Sequence, residues 1–498
     1  MASRYERSGG LLLHPTSLPG PHGIGDLGLE AYRFVDFLAE SGQHLWQILP
    51  LGPTGFGNSP YAARSAFAGN PLLVSLERLR DEGLVDEAEL DSAPPFPPDR
   101  VDFAAVERFK MAAMQRAAER FGAEAPPARR AAYDAFVRQN ARWLDDFALF
   151  MALQESHGGA WQTWGEGLAR RKPEALAEAR DMLASTVAVH SFAQFAFAEQ
   201  WAAIRTYAAE RGVRIVGDIP IFVALDSADV WSQPELFTLD DRGFPTVVAG
   251  VPPDYFSATG QRWGNPLYRW DVMAGTGYTW WVNRFRAMLR LVDVIRIDHF
   301  RGFQGAWEIP AEHPTAERGR WVAGPGRDLF QAARRALGDL PIIVEDLGVI
   351  TPDVVALREE LGYPGMKVLQ FAFGSGPSNP FLPHNFEHNV VVYTGTHDND
   401  TTVGWFRTAS DEERGYAVDY VGGDGESIAW DLIRLALSSV ADTAIAPVQD
   451  VLSLGSEARM NFPGTAEGNW AWRLTPGQIT EEHAERLALL ARTYGRAD

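Results

Sequence analysis

The sequence contains no cysteine among its 498 residues. This absence excludes disulfide bonds, thiolate nucleophiles, and zinc or iron–sulfur sites built on cysteine ligands. Any chemistry that the protein performs must therefore come from oxygen and nitrogen groups.

Long apolar runs are also missing. The N-terminal stretch MASRYERSGGLLLHPTSLPG has only three consecutive leucines before a proline, far short of the apolar region of a secretory signal peptide. No later run approaches the roughly 20 apolar residues that a membrane-spanning helix needs. We therefore expect a cytoplasmic protein.

Positive charge is scarce, because 45 Lys and Arg face 65 Asp and Glu, giving a formal net charge of −20. A surface of this sign repels nucleic-acid phosphates and anionic lipids. We therefore expect no nucleic-acid partner and no membrane partner, and we favour a neutral or cationic ligand. For assembly, the expectation is a monomer or a weak homo-oligomer.

Eight short apolar segments that end in polar or glycine-rich loops predict eight β-strands. These segments are 10–13, 45–49, 214–217, 292–297, 342–344, 368–371, 390–393 and 443–446. Most alternate with helical patterns such as 281–291 and 352–361, which is typical of βα units and a parallel sheet. The α/β pattern most simply closes as a TIM (β/α)8 barrel.

An open, doubly wound sheet is the alternative fold. Its support is the glycine pattern GIGDLG at residues 23–28. That pattern follows the first predicted strand only after two prolines, whereas a dinucleotide-binding loop forms a tight turn between strand and helix. We therefore favour the barrel.

Two stretches depart from the βα repeat within what we expect to be one catalytic barrel domain, 1–498. Residues 52–185 contain helical patterns and predict a helical insertion after the second strand. Residues 232–272 are rich in glycine, proline and aromatic residues and predict a long loop region with a substrate lid after the third strand. Loops of this length in compact domains are usually functional or disordered, and the aromatic content favours function.

The segment DVIRIDHFR, residues 293–301, places charges within an apolar strand pattern. Successive side chains of a strand point to opposite faces, so Arg296 and Asp298 share one face and Ile295 and Ile297 share the other. A salt bridge at the strand end is the simplest interpretation. If other acids converge there, however, Arg296 would hold Asp298 ionised for chemistry.

Three carboxylates follow predicted strands at the end where TIM barrels have their active sites. They are Asp298, Glu345 and Asp398. Retaining glycosidases use such a pair, with carboxyl groups about 5–5.5 Å apart, one as nucleophile and one as acid. A barrel metallohydrolase is an alternative, but it usually needs closely spaced histidines, and none occur within a strand. We expect no metal and no cofactor.

An ordered set of motifs from residue 13 to 473 resembles the 4-α-glucanotransferases called amylomaltases or disproportionating enzymes. The motifs are LHPTSLPGPHGIGDLG, GNSPYAARSAFAGNPLLVSLE, GDIPIFVALDSADVW, AGVPPDYFSATGQRWGNPLY, RIDHFRGF, EDLG, TGTHDNDT and RMNFPGT with GNWAWR. The resemblance implies a TIM barrel of the α-amylase clan with inserted subdomains and no C-terminal β-sandwich. The short sequence after residue 446 agrees with that expectation.

Carried over residue by residue, the resemblance implies that Asp298 is the nucleophile, Glu345 the general acid/base and Asp398 the stabiliser of the transition state. It also implies substrate-binding residues around the cleaved bond, in the lid and along the glucan: Arg296, His299, His397, Asp218, Asp254, Tyr255, Gln261, Trp263, Ser59, Tyr61 and Asn469.

The expected reaction transfers a segment of a 1,4-α-glucan, such as a maltooligosaccharide or amylose, to the 4-hydroxyl of another glucan by double displacement. Two alternatives remain open. An α-glucan hydrolase would use the same three acids, because they do not reveal which acceptor attacks. A glucan-binding protein without turnover is the other, and the intact acids argue against it.

Overall fold

The computed structural model describes residues 6–253 and 257–497. Its described strands, in chain order, are β1 (Ser8–Leu12), β2 (Leu45–Gln47), β3 (Arg214–Pro220), β4 (Val247–Val251), β5 (Gln261–Pro266), β6 (Val294–Asp298), β7 (Gly305–Pro310), β8 (Arg320–Ala323), β9 (Ile342–Val344), β10 (Gly365–Val368), β11 (Val390–Tyr393) and β12 (Thr443–Pro447). They form one eight-stranded and one four-stranded sheet.

The eight-stranded sheet is parallel and follows the chain order β1, β2, β3, β6, β9, β10, β11, β12, with β12 pairing back to β1. Between β9 and β10, the Val344 N–H donates to the Pro364 carbonyl at 3.0 Å. The Met366 N–H also donates to the Asp346 carboxylate at 2.8 Å. The predicted TIM barrel is therefore confirmed.

Strand β6 shows how the barrel separates its two faces. Val294 belongs to the apolar cluster inside the barrel, whereas Ile295 and Ile297 belong to the large core packed with the surrounding helices. The alternation places Arg296 and Asp298 on the inner face with Val294. The predicted pairing of the two charges on one face is confirmed by their direct contact at 3.1 Å.

The sixth barrel strand differs from its prediction. The sequence predicted 368–371, but the strand is β10, Gly365–Val368, and Leu369–Phe371 forms a 3-10 turn. Leu369 and Gln370 of this turn are buried and Phe371 is partly buried, so the apolar pattern does not end where the strand ends. Gln370 in the turn donates to the Asp400 carbonyl at 2.8 Å, a tertiary contact that competes with strand extension.

The second sheet is antiparallel, with strand order β5-β4-β7-β8. Two of its strands lie within residues 232–272, where the sequence predicted loops. Strand β5, QRWGNP, contains a glycine and a proline that hide its strand character in the sequence. The sheet lies between β3 and β9 in the chain, so it emerges at the ends of the barrel strands that carry the site.

The described helices are α1 (Leu29–Glu40), α2 (Leu76–Asp81), α3 (Glu87–Asp91), α4 (Phe103–Glu124), α5 (Pro127–Asn140), α6 (Leu144–His157), α7 (Glu166–Ala169), α8 (Pro173–Met182), α9 (Ala184–Glu210), α10 (Ala228–Ser232), α11 (Trp270–Gly275), α12 (Thr279–Leu291), α13 (Arg301–Gln304), α14 (Gly326–Leu337), α15 (Pro352–Leu361), α16 (Thr402–Thr408), α17 (Asp411–Val421), α18 (Ile428–Ser438), α19 (Val448–Val451) and α20 (Glu481–Thr493). Helices α2 to α9 connect β2 to β3. Among the described helices, none has the length and apolar character that would cross a membrane.

Candidate active site

The three predicted acids follow barrel strands at the same end. Asp298 is the last residue of β6, and Glu345 comes directly after β9. Asp398 lies five residues beyond Tyr393, which ends β11. Because the carboxyl ends of parallel barrel strands meet at one rim, these elements direct the three carboxylates to a common site.

Arg296 is the central cation of this site. On the neighbouring strand β3, Asp218 stands in register with Arg296. The Arg296 Nη1 atom donates to Asp218 Oδ2 at 2.5 Å and to Asp298 Oδ1 at 3.1 Å. Burial lowers the pKa of the guanidinium, but the carboxylates of Asp218 and Asp298 outweigh it and raise the pKa above its ordinary value.

Tyr61 extends the network to the other side of the site. Its hydroxyl donates to Asp218 Oδ2 at 2.8 Å, and burial together with the Asp218 carboxylate raises the pKa of the phenol. The Tyr61 ring stacks on His397, with ring centres 5.0 Å apart and planes 15° apart. Contacts therefore run from Asp298 through Arg296, Asp218 and Tyr61 to the residue beside Asp398.

Glu345 receives two backbone donors. The His299 N–H donates to its Oε2 at 2.8 Å, and the Leu347 N–H donates to its Oε1 at 2.7 Å. Burial and the Asp298 carboxylate raise the pKa of the Glu345 carboxyl well above its ordinary range, although the Arg296 guanidinium opposes that shift. Asp298 and Glu345 thus differ in environment, since only Asp298 contacts the arginine directly within the described residues.

The backbone that supplies these donors is unusual at two positions. His299 has a φ of +53°, a left-handed conformation that is uncommon for any residue other than glycine. Gly348, in the EDLG turn, has a φ of +86°, which glycine adopts without steric cost. Strained or glycine-dependent backbone on both sides of the Glu345 carboxyl indicates that its donors are held for function.

Asp398 is held by residues that the sequence reasoning did not assign. Asn461 Nδ2 donates to Asp398 Oδ1 at 2.7 Å, and Arg459 Nη2 donates to the Asp398 carbonyl at 2.8 Å. His397 Nε2 lies 3.5 Å from the same carboxylate oxygen. Both newly found residues belong to the motif RMNFPGT, so that motif was the available signal. Arg459 and Asn461 lie 61 and 63 residues after Asp398, so the sequence alone did not indicate that they contact it.

The two predicted histidines are buried, and burial favours the neutral form of each ring. Burial lowers the pKa of the His299 imidazole to about 3, with Arg301 adding to the shift, and burial also lowers the pKa of His397. In the part of the chain that the structure describes, His299 Nε2 and His397 Nδ1 have no hydrogen-bond partner. Each ring therefore has a buried nitrogen whose hydrogen-bonding capacity is unused within the described residues.

The predicted lid residues lie on and before strand β5. The Trp263 ring meets His299 edge to face, with ring centres 4.7 Å apart, and its Nε1 donates to Gln261 Oε1 at 3.1 Å. Trp263 remains 38% exposed, so part of its surface is open to a ligand. Asp254 and Tyr255, also predicted as lid residues, lie outside the described residues.

Ser59 and Asn469 use their side chains within their own loops. Ser59 Oγ accepts from the Tyr61 N–H at 3.2 Å and so orients the turn that carries the tyrosine. Asn469 Oδ1 accepts from the Phe462 N–H at 2.9 Å, and its Nδ2 donates to the Thr465 carbonyl at 3.0 Å. Both residues therefore shape loops beside the network, and their predicted contacts with glucan stay predictions.

Among residues 6–253 and 257–497, no group of three or more histidine or acidic side chains is arranged to hold a metal ion. The site instead combines one buried arginine with the carboxylates of Asp218, Asp298 and Glu345, and it adds aromatic faces at Tyr61 and Trp263. This combination suits a neutral polyhydroxylated ring, because carboxylates accept from hydroxyls and aromatic faces cover apolar ring faces.

Comparisons with known proteins agree with this chemistry. A family model described as 4-alpha-glucanotransferase matches residues 13–480. The 4-alpha-glucanotransferase of Thermus thermophilus is 54% identical over 499 residues, covering 98% of this chain and 99% of the relative. That of Synechocystis is 52% identical, with 99% and 98% covered. The structure of an amylomaltase from Streptococcus agalactiae in complex with acarbose superposes with a TM-score of 0.96 at 39% identity, covering 99% of this chain and all of the other.

Proposed function

The chain belongs to the 4-alpha-glucanotransferase family and has that family's activity, and from this premise we propose that Asp298, Glu345 and Asp398 catalyse the transfer. The observation that carries the assignment is the contrast between two acids. Asp298 contacts the Arg296 guanidinium at 3.1 Å, whereas burial and the Asp298 charge raise the pKa of Glu345. One acid is thereby suited to attack and the other to donate a proton.

In the first step, an Asp298 carboxylate oxygen attacks the anomeric carbon of the donor glucan. The glycosidic C–O bond breaks, and Glu345 transfers its proton to the departing oxygen. In the second step, Glu345, now ionised, takes the proton from the 4-hydroxyl of an acceptor glucan. That oxygen attacks the anomeric carbon, the bond to Asp298 breaks, and the configuration at carbon is retained.

Asp398 stabilises the positive charge that develops on the sugar ring in both steps. Its carboxylate is partly exposed, at 47% of the side-chain surface, which leaves room for contact with ring hydroxyls. The hydrogen bond from Asn461 at 2.7 Å fixes the orientation of one carboxylate oxygen before substrate arrives. A preoriented charge of this kind lowers the barrier because it does not need to reorganise during the reaction.

The remaining predicted residues bind the glucan. His299 and His397 bind sugar hydroxyls once neighbouring side chains shift to uncover their buried, unpaired ring nitrogens. Tyr61 offers an aromatic face, and Trp263 covers the substrate from the lid side. The full proposed binding set is Ser59, Tyr61, Asp218, Asp254, Tyr255, Gln261, Trp263, Arg296, His299, His397 and Asn469. The substrates we propose are maltooligosaccharides and amylose, with no cofactor.

Transfer requires that a glucan hydroxyl reaches the intermediate before water does. A lid that covers the intermediate slows the approach of water and holds the acceptor in line. Trp263, 38% exposed and in edge contact with His299, is suited to such a lid.

We also propose that 52–185 is a helical insertion in a single barrel domain, 1–498, and that 232–272 is the insertion that carries the lid.

On the sequence grounds given above, we further propose a cytoplasmic enzyme that is a monomer or a weak homo-oligomer. Cell fractionation tests the first property. Sedimentation of the purified protein over a hundredfold concentration range tests the second, with a single mass of about 55 kDa, close to the 54.9 kDa of one chain, expected at the dilute end.

The proposed catalytic roles are tested by incubating the protein and its Glu345→Gln variant with maltotriose, without added metal or cofactor, and separating products by chain length. The parent is expected to give glucose and a ladder of longer glucans at constant total reducing ends. The variant is expected to be slower by about 100-fold or more, because the departing oxygen receives no proton. Steadily rising reducing ends would instead indicate hydrolysis, and full activity of the variant would refute the role of Glu345.

A further inference from the structure

Arg301, three residues after Asp298, is a buried cation that the steps above do not use. Its side chain is 7% exposed. The centre of its guanidinium lies 3.8 Å from the centre of the Trp321 ring, and its Nη1 donates to the Val349 carbonyl. Arg301 therefore connects the antiparallel sheet, through Trp321 on β8, with the loop that begins at Glu345.

The loop from Glu345 to Val349 is short enough for one fixed point to orient the carboxyl. The Leu347 N–H donates to Glu345 Oε1 at 2.7 Å. Gly348, with φ at +86°, then turns the chain, and the Val349 carbonyl that follows accepts from Arg301. When Arg301 holds the Val349 carbonyl, the turn at Gly348 is restrained, and with it the Leu347 N–H that donates to Glu345.

The antiparallel sheet contacts this region from both of its edges. At one edge, Trp263 on β5 meets the His299 ring. At the other edge, Trp321 on β8 stacks on Arg301. His299, the residue contacted at the first edge, also donates its N–H to Glu345 Oε2 at 2.8 Å. Both donors to the Glu345 carboxyl are thus supported by residues that the sheet contacts.

We propose that Arg301 is a positioning residue for the acid/base Glu345 and that Trp321 holds Arg301 in place. This inference rests on the proposed role of Glu345. The contacts of Arg301 lie on the Glu345 side of the site, whereas the nucleophile Asp298 is held separately by Arg296. Loss of Arg301 therefore impairs proton transfer to the leaving group and leaves nucleophilic attack largely intact.

Two donors with the same sugar and different leaving groups separate these effects. Maltotriose and α-maltosyl fluoride both give the same maltosyl group on Asp298. With maltotriose, the C–O bond breaks and the departing glucose oxygen takes a proton from Glu345. With the fluoride, the C–F bond breaks and fluoride leaves as an anion without a proton. A defect in acid catalysis therefore slows the first donor far more than the second.

The experiment measures the first turnover by rapid quench, as glucose released from maltotriose and as fluoride released from α-maltosyl fluoride. The test variants are Arg301→Lys and Arg301→Gln. We expect the maltotriose rate to fall about 10- to 100-fold, because a small misplacement of a catalytic group has effects of this size. The fluoride rate is expected to stay within about threefold of the parent rate.

Two reference variants show how the maltotriose and fluoride rates change when either the acid/base or the nucleophile is lost. Glu345→Gln is expected to lose the maltotriose rate and keep most of the fluoride rate, and Asp298→Asn is expected to lose both. If Glu345→Gln loses both rates equally, the proposed acid/base role is wrong. If Glu345→Gln behaves as expected but the Arg301 variants lose both rates equally, only the positioning role of Arg301 is wrong.

Arg284→Lys is the matched control. Arg284 is also buried, at 5% exposure, lies 4.8 Å from the Trp281 ring and donates to the Ile221 carbonyl at 3.3 Å. It has no contact with the loop from Glu345 to Val349 among the described residues, so its replacement is expected to change both rates by the same factor.

Trp321→Ala provides a second test if the Arg301 variants do not fold. The indole is 42% exposed, so its removal disturbs little of the core. We expect a selective loss of the maltotriose rate, of about three- to tenfold, because Arg301 loses the ring that restrains it. An equal fold-loss of the maltotriose and fluoride rates, or no loss of either, would contradict the role assigned to the sheet.

Discussion

Two buried cations within the described residues, Lys110 and Arg296, contact carboxylates at similar distances and differ in consequence. Lys110 on α4 is fully buried and contacts Asp26 Oδ2 at 2.9 Å, in the loop that precedes α1. Arg296 on β6 contacts Asp218 at 2.5 Å and Asp298 at 3.1 Å. The first pair joins a helix of the β2–β3 connection to the barrel, and the second lies in the candidate active site.

The difference lies in how completely the charges are satisfied. Asp26 has a donor for each oxygen, Lys110 on one and the Gly28 N–H on the other. Arg296 is shared between two carboxylates. Within residues 6–253 and 257–497, Asp218 Oδ1 has no hydrogen-bond partner. A buried ion pair alone therefore does not identify a reactive site, and this one is marked by an arginine shared between two carboxylates at the carboxyl ends of the barrel strands.

The largest expected effect concerns Asp298, one of the two carboxylates that share Arg296. Replacing Asp298 by Asn removes the nucleophile, and we expect transfer to fall by about 10⁴-fold or more. The thermal midpoint is expected to change little, because the side chain is partly exposed and Arg296 keeps Asp218 as a partner. Initial rates with maltotriose and a thermal melt measure both. Activity within about tenfold of the parent would show that Asp298 is not the nucleophile.

The next effect concerns the contribution of the Lys110–Asp26 pair to the stability of the fold. Replacing Lys110 by Met leaves Asp26 buried without its cation, and we expect the free energy of unfolding to fall by about 3–5 kcal/mol. The rate per folded molecule is expected to stay unchanged. Denaturant titration and initial rates measure the two quantities. The double variant with Asp26→Asn serves as control and is expected to recover most of the loss, since no unpaired charge remains.

A smaller effect is expected from Tyr61→Phe, which removes the hydrogen bond to Asp218 at 2.8 Å and keeps the ring that stacks on His397. Losing this bond loosens Asp218, the partner of the Arg296 guanidinium beside the nucleophile, and we expect kcat to fall about 10- to 100-fold, as small misplacements of catalytic groups do. The KM is expected to change less, because the stacking face remains. A change in KM alone would show that Tyr61 contributes only to binding.

The mildest effect is a dependence on pH. Burial and Asp298 raise the pKa of Glu345, so its acid form persists to a higher pH than that of an ordinary glutamate. Above that pKa, kcat/KM is expected to fall about tenfold per pH unit as Glu345 loses the proton that the leaving group needs. A pH series with maltotriose measures this limb. With α-maltosyl fluoride, kcat/KM is expected to fall much less over the same pH range, because fluoride leaves without a proton. An equally steep fall with the fluoride would show that a group other than Glu345 causes it.

The barrel could be predicted because its strands are short apolar runs separated by helices. The prediction failed where neighbouring chain segments decide the structure. Strand β10 begins earlier than predicted, at Gly365, and only Val368 of the apolar run 368–371 belongs to it, because Leu369–Phe371 forms a turn. The antiparallel sheet was not predicted, because glycine and proline in β5 conceal strands that are stabilised by pairing with β4.

The sequence located the three acids because each follows an apolar run at the end of a barrel strand. It also predicted that Arg296 and Asp298 share a face, which follows from the geometry of one strand alone. The His299 donor to Glu345 and the contact of Asn461 with Asp398 could not be predicted, since they join chain segments that only the tertiary structure brings together.

The most direct test of the proposed mechanism identifies the residue that becomes bonded to sugar. The Glu345→Gln variant is mixed with α-maltosyl fluoride, quenched in acid, digested and analysed by mass spectrometry. Fluoride can leave without a proton, but the variant lacks the base that activates the acceptor, so the intermediate is expected to accumulate. The account predicts a maltosyl group on the peptide that contains Asp298, located at that aspartate by fragmentation. A maltosyl group on another residue, or fluoride release without any labelled peptide, would contradict it.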